Sequence, residues 1–513
     1  MFFTNRWTKN ATTCGQRTKV KFQVFKNGKA VDEFTPCGAY LFGADGIAIR
    51  QAKITFKNGL LECKKPNEDT AGLALLWPID GFGRVLLPTT ILPEKTRPYN
   101  LNIEIARAKL MQIINKREDW SFFDNNMNME DLANLSGAAQ DLFIEAIQNI
   151  SEPAPASKLA DESLEKAIVF SEKMAMKRAD SLFKARSDSH GFGRACLGCR
   201  VDPAGMANPK YVERLLELFG FVTVPINWAQ IETNKGIYDF SKIDPCIEML
   251  ARKKLVIGAG PLLRFSKQHL PGWLLRSKVG FEKILEAAYQ FVANVVSRYS
   301  AAVRAWRVVS GLNASNHFGF NFEQVLEISR AAIMATKTTD NRTIKIIEVT
   351  NPWGEYYATM PNTIPPLVYL DMVIQSGINF DAFGLAMQFG SNQPGMHIRD
   401  MMQISAVLDY FAAVAKPLYI TDLEVPSRNG DGLYDGGVAG IWREQWNQTN
   451  QQQWIEQFYK IALSKPFVDA VSYANLADTK TAVIASSGLL DKQLEPKKSF
   501  AALKKIHEAI FTR

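Results

Sequence analysis

Residues 194–227 read RACLGCRVDPAGMANPKYVERLLELFGFVTVPIN, and this stretch decides the fold of the larger part of the chain. Arg194–Val201 and Phe221–Asn227 are short runs of strand type, and between them Tyr211–Phe219 is an amphipathic helical stretch. Strand, helix, strand in this order is the parallel βαβ unit. The alternation continues downstream. Further strand candidates are Leu255–Leu262, Val303–Leu312, Ile344–Thr350, Phe380–Gln388, Pro417–Val425 and Val468–Asn475, with helical stretches at Phe281–Tyr299, Phe322–Thr336 and Trp454–Leu463 among them. Eight strands with their helices close a (β/α)8 TIM barrel, whereas five or six would suggest an open doubly wound sheet. No strand is followed by a glycine pattern that cradles phosphates.

Upstream of the barrel the pattern differs. Val20-Lys21-Phe22-Gln23-Val24 alternates with period two, and Asn27-Gly28 and Asn58-Gly59 are hairpin signals, because both central positions of a type I′ turn need positive φ. Residues 1–100 are therefore expected to form a β-sandwich, with carbohydrate binding as one role for such a module. From about Leu101 the periodicity becomes helical, in Ile103–Met111 and again in Met129–Ile150. The Pro-containing stretch Ser151–Ser157 interrupts it before a charged helix that runs to about Ala185. The expected organisation of this α/β chain is a sandwich, a helical connector over 101–190 and a barrel over 191–513.

Composition narrows the function classes. At 513 residues the chain exceeds one compact core, and 47% hydrophobic with 22% charged residues is ordinary globular composition. The net charge of +8 comes from basic residues scattered among acidic ones, so no nucleic-acid partner is expected. No run of about 20 apolar residues is present, so no membrane partner is expected either. The opening MFFTNRWTKN lacks the charged and apolar regions of a signal peptide, which makes the cytoplasm the expected location. Six cysteines (Cys14, Cys37, Cys63, Cys196, Cys199, Cys246) are sparse and agree with reduced thiols. Cys196-Leu197-Gly198-Cys199 matches C-x-x-C but falls inside a strand, where alternation separates the side chains, and is read as structural. The five histidines have no ligand-like spacing, so neither a metal nor a cofactor is expected.

Three ordered segments resemble glycoside hydrolase family 10, the xylanase family. Trp228-Ala229-Gln230-Ile231-Glu232 with Gly236-Ile237-Tyr238-Asp239-Phe240 is similar to W-x-x-I-E-x-x-x-G-x-Y-D-F at the exit of strand 2. Tyr299 with Trp306-Arg307-Val308-Val309 is similar to R-Y-x-x-x-V-x-x-W-D-V-V-N-E of strand 4. Tyr419-Ile420-Thr421-Asp422-Leu423-Glu424 is similar to I-T-E-L-D of strand 7. The end agrees as well, in Asn475-Leu476-Ala477-Asp478, Gly488-Leu489-Leu490-Asp491 and Pro496-Lys497-Lys498-Ser499-Phe500. The resemblance implies a retaining barrel hydrolase with two carboxyl groups about 5–5.5 Å apart. Against it, the positions of the strand-4 Asn and acid/base Glu read Ser310 and Gly311, and the nucleophile position carries Asp422. The family's G-H-x-x-x-W-H becomes Gly260-Pro261-Leu262-Leu263-Arg264-Phe265-Ser266, and its N-x-x-K-W becomes Val224-Pro225-Ile226-Asn227-Trp228. The Gln and His expected after strand 6 are Ala386 and Gln388.

Barrel active sites lie at the C-terminal strand ends, so carboxylates there are the catalytic candidates. Asp422 and Glu424 are two apart and share a face. Glu355 follows strand 5 in Asn351-Pro352-Trp353-Gly354-Glu355-Tyr356, between aromatic rings that can stack on sugar; Glu348 lies within that strand. Asn227, Trp228, Asn313, Trp353 and Gln388 are the candidate substrate contacts, while Asn316 and His317 are read as turn residues. Two function classes follow. One is an enzyme that hydrolyses O-glycosyl bonds of a polysaccharide or oligosaccharide. The other is a catalytically silent barrel that binds glycan or serves as a structural or assembly subunit, for which a homo-oligomer is an expectation.

Overall fold

The computed structural model describes residues 18–120, 130–276, 279–430 and 436–511. Eight parallel strands close a barrel in chain order: Leu197–Arg200, Phe221–Val224, Val256–Ala259, Val303–Ser310, Ile344–Thr350, Ala382–Gln388, Leu418–Glu424 and Val468–Tyr473. The eighth returns to the first through Leu197↔Val471, Gly198↔Ser472 and Cys199↔Tyr473. Each lies inside the stretch expected for it, because strands buried on both faces read as near-continuous apolar runs.

The helices between them bury one stripe. Phe281–Tyr299 turns Ile284, Ala288, Phe291, Val295 and Tyr299 inward, at spacings of three and four. Burying a side chain such as Phe291 contributes about 1.5–3 kcal/mol. Helix starts are fixed by capping boxes, Asn321 with Gln324 and Asp400 with Gln403, which satisfy amides that would otherwise lack partners.

One irregularity shapes the mouth of the barrel. Arg307 pairs with Ile346 and Val309 with Ile347, so Val308 is an extra residue on the fourth strand. Such a bulge resets the alternation. Arg307 and Ser310, three positions apart, consequently both reach Glu348 on the fifth strand.

The N-terminal region contains two four-stranded sheets. The first runs in the order Lys53–Lys57, Leu60–Lys65, Thr18–Gln23, Tyr99–Asn100, and the second in the order Ile441–Trp442, Gly83–Pro88, Gly72–Ile79, Tyr40–Phe42. Both Asn-Gly turns form as their sequence requires, with φ of 51° and 70° at Asn27 and Gly28, and 54° and 73° at Asn58 and Gly59. Helices Leu101–Asp119, Glu130–Gln148 and Pro153–Asp188 follow. Cys14 and Met129 lie outside the described residues. The stretch Ser151–Ser157 is not a separate connector, since Pro153 opens the long helix; a proline in the first turn gives up an N–H that has no partner there. Among the described residues no helix is long and apolar enough to cross a membrane.

The second sheet is completed by the barrel itself. Ile441–Trp442, from the segment after the seventh barrel strand, pairs antiparallel with Gly83–Pro88. Gly83 has φ of 108°, and a Cβ there would lie 2.6 Å from the Ile441 carbonyl oxygen, so only glycine admits this pairing. Leu86 N–H donates to the Ile398 carbonyl at 2.9 Å, and Gln403 Nε2 donates to the Leu86 carbonyl at 2.9 Å. Buried charges close the same seam. Lys109 pairs with Asp400 at 3.0 Å, and Glu172 accepts from Met401 N at 3.0 Å and Trp442 Nε1 at 2.7 Å. Removing one member of a buried pair strands the other. Lys109→Met is therefore expected to cost about 3–5 kcal/mol, measured as a lower urea midpoint. Tryptophan fluorescence and far-UV dichroism should still change together; two separated transitions in the wild type would show that the seam does not couple the regions.

Candidate active site

The C-terminal ends of the barrel strands hold a buried network of charges. Arg307 projects inward from the fourth strand, where its guanidinium meets carboxylates of the fifth and seventh strands. Its Nη1 donates to Asp422 Oδ2 at 2.7 Å and to Glu348 Oε2 at 3.0 Å, and its Nη2 to the Gly260 carbonyl at 2.8 Å. Glu348 is held on its other oxygen by the Ser310 hydroxyl at 2.5 Å. Asp422 is held on its other oxygen by Arg200 Nη1 at 3.1 Å, from the end of the first strand. Arg200 Nη2 donates to Asn475 at 3.2 Å and lies 3.6 Å from Glu424. Glu424 also accepts from Gln388 Nε2 at 3.1 Å and Ile484 N at 2.8 Å.

The charges set one another's protonation. Burial works against the Asp422 anion, but Arg200 and Arg307 outweigh it and hold its carboxyl below the ordinary range. Burial likewise opposes the Arg307 cation, and Asp422 with Glu348 outweighs it. Glu424 goes the other way: burial dominates over Arg200 and the Ile484 amide, and its carboxyl is pushed up. Glu424 thus has the direction of shift that suits an acid, yet it is fully buried with both oxygens occupied.

Sequence-level candidates separate into three places. Asp422, Glu424 and Gln388 meet in the mouth network. Glu355 does not join them: its Oε2 accepts from Gly395 N at 2.7 Å and His397 Nδ1 at 2.9 Å, and Arg399 pairs with its other oxygen. Burial pushes the His397 imidazole down to about 4, so it is neutral at pH 7. Trp353 belongs to this second cluster, with Arg399 over its ring at 5.1 Å and Phe389 against its edge.

The remaining candidates support the chain locally. Trp228 is buried, stacked on Phe291 at 5.0 Å and bonded through Nε1 to Glu232 at 2.6 Å. Asn227 caps the short helix that carries Trp228, by accepting from Ala229 N at 3.0 Å. Asn313 donates to the Thr350 carbonyl at 2.8 Å and Tyr356 at 2.5 Å, and Asn316 ties its own turn to Phe320 at 2.8 Å. Cys196 and Cys199 are free buried thiols, the former pushed up to about 12 by burial. Two residues that now hold the centre, Arg307 and Arg200, are absent from the sequence-level candidates. A signal for Arg307 was present: a cation stands where the resembled strand-4 motif has Asp, inside an otherwise apolar run.

A closed parallel barrel with paired carboxylates at its C-terminal mouth defines the class, a glycoside-hydrolase-like (β/α)8 protein. The model of glycosyl hydrolase family 10 matches residues 188–506, more than half of the chain, and the chain belongs to that family. Among solved structures, xylanase 10B from Thermotoga petrophila RKU-1 in complex with xylobiose is 18% identical, covering 61% of this chain and 93% of that one, at a TM-score of 0.48. Native xylanase 10B from Thermotoga maritima is 17% identical, covering 62% and 96%, at 0.48. Xylanase B from Clostridium stercorarium F9 is 15% identical, covering 60% and 96%, at 0.47. No curated protein sequence matches the chain.

The depressed Asp422 carboxyl has a consequence for stability. Because its folded pKa lies below its unfolded value of 3.8, the stabilisation is complete above that pH and is lost as the pH falls through the folded value. Urea unfolding from pH 6 to pH 2.5 should therefore show an acid-side loss that is smaller in Asp422→Asn. An identical acid slope in both proteins would contradict the pairing.

Proposed function

We propose that this family 10 barrel does not cleave glycosidic bonds by the two-carboxylate route and acts as a non-hydrolytic recognition barrel. The observation that carries this reading is the position of Arg307 Nη1. It lies 2.7 Å from Asp422 and 3.0 Å from Glu348, which puts the facing oxygens of these two carboxylates within about 6 Å of each other. That separation is of the order a retaining hydrolase needs. The space between them, where the reacting sugar carbon would sit, is filled by the guanidinium. Both carboxylates therefore spend their charge on a resident cation.

The acid/base position points the same way. Gly311, which the family resemblance aligns with that glutamate, has φ of 64°, and a Cβ there would lie 3.1 Å from Thr350 Oγ1. A side chain in this conformation costs roughly 1–2 kcal/mol. The glycine is thus built into the turn, and a glutamate restored at 311 would not stand on a backbone suited to it.

The test is turnover of aryl β-xylosides and β-glucosides. Wild type, Asp422→Ala and Gly311→Glu are all expected to release product at the buffer rate. Wild-type turnover that disappears in Asp422→Ala would overturn the reading and restore Asp422 as nucleophile. Gly311→Glu should also unfold about 1–2 kcal/mol more easily than wild type.

A further inference from the structure

The mouth holds three guanidiniums, and its carboxylates use up only two of them. Arg307 is taken by Asp422 and Glu348, and Arg200 by Asp422, Asn475 and the near edge of Glu424. Arg264 is left over. Its Nε is buried without a hydrogen-bond partner, and no ion pair reaches its guanidinium among the described residues.

The fold places Arg264 at the same rim. The chain beyond the third barrel strand runs alongside the fourth, with Leu263 bridged to Val309 and Ser310 N–H donating to the Leu263 carbonyl at 2.9 Å. Leu262, Leu263 and Phe265 are buried in the surrounding wall, while Arg264 is only half-buried, level with Ser310 and Gly311. The electrostatics of the neighbourhood agree. Burial pushes the Arg264 guanidinium down, and Glu348 and Asp422 close by oppose that shift without forming an ion pair with it. The His269 imidazole is pushed down to about 4, first by burial and then by the positive charges of Arg264 and Arg200. At this rim, among the described residues, Arg264 is left as a guanidinium with no protein partner.

We propose that the barrel mouth binds an oxyanion, the carboxylate of a small sugar acid or the phosphate of a sugar phosphate, on the guanidinium of Arg264. A planar guanidinium fork matches carboxylate and phosphate geometry with two parallel hydrogen bonds, which a neutral hydroxyl cannot offer. Such a guest supplies the counter-charge that the protein itself lacks at this point. The proposal rests on the reading that Arg307 has closed the cleavage position and left the mouth as a binding site.

Calorimetric titration of the full chain with glucuronate, glucose 6-phosphate, inorganic phosphate and neutral xylose tests it. At least one anion is expected to bind and xylose not. Glucuronate alone would mark a carboxylate site, and glucose 6-phosphate with phosphate a phosphate site. Arg264→Gln should weaken the anion at least tenfold, and Arg264→Lys, which keeps the charge and loses the fork, by a smaller factor. If Arg264→Gln does not fold, the intermediate affinity of Arg264→Lys still decides. No uptake of any anion at millimolar concentration, equal uptake of xylose, or unchanged affinity in the variants would overturn the proposal. Aryl glycoside turnover by the wild type would instead sink the non-hydrolytic reading, whatever the titrations show.

Discussion

The mouth of this barrel depends on one guanidinium held between two acids. Two carboxylates within about 6 Å in a buried site cannot both stay ionised without a cation, since each anion raises the other's pKa and burial penalises both. A hydrolase exploits that tension by leaving one acid protonated for catalysis. Here Arg307 relieves it, and Arg200 adds a second cation on the far oxygen of Asp422. The relief is structural and permanent, because the guanidinium sits on three elements at once: the fifth strand, the seventh strand and the Gly260 carbonyl after the third. Taking Arg307 away would leave Glu348 with the Ser310 hydroxyl and Asp422 with Arg200, and no cation between the two acids.

Much of the fold was legible because strands and helices are written in local periodicity. All eight barrel strands fall where the apolar runs place them, and the two Asn-Gly hairpins turn with the positive φ values that their residues favour. What the sequence hides is mostly register. The extra residue at Val308 is invisible in the string Trp306-Arg307-Val308-Val309-Ser310, yet it brings Arg307 and Ser310 onto one glutamate. Long-range pairing is hidden for a related reason. Nothing local to Ile441–Trp442 says that this dipeptide pairs with residues more than 350 positions earlier. The Pro-containing stretch at 151–157 misleads in the opposite direction, since a proline that breaks a helix interior starts a helix at its first turn.

The site was legible in part. Asp422, Glu424 and Gln388 were recognisable from their places on strand ends, and the structure brings them together around Arg200. Their partners were not, because a charge inside an apolar run gives no hint of which distant carboxylate compensates it. Glu355 shows the converse. Its setting between Trp353 and Tyr356 has the composition of a sugar contact, but its carboxylate is spent on Arg399, His397 and the Gly395 amide.

That second cluster also says which side of the mouth is open. The loops after the fifth, sixth and seventh strands carry the N-terminal sheet: Arg50 reaches the Thr363 carbonyl at 2.7 Å, Leu86 bonds Ile398, and Gly83 admits Ile441. Those loops are committed to packing, and the groups beneath them are closed off, with Glu424 fully buried and the Arg307 side chain 4% exposed. On the side of the first and third strands the wall is less covered, where the Arg200 side chain is 23% exposed and Arg264 is half-buried. A ligand would therefore meet guanidinium groups before it met any carboxylate. The approach from that side runs past Arg200 and Arg264.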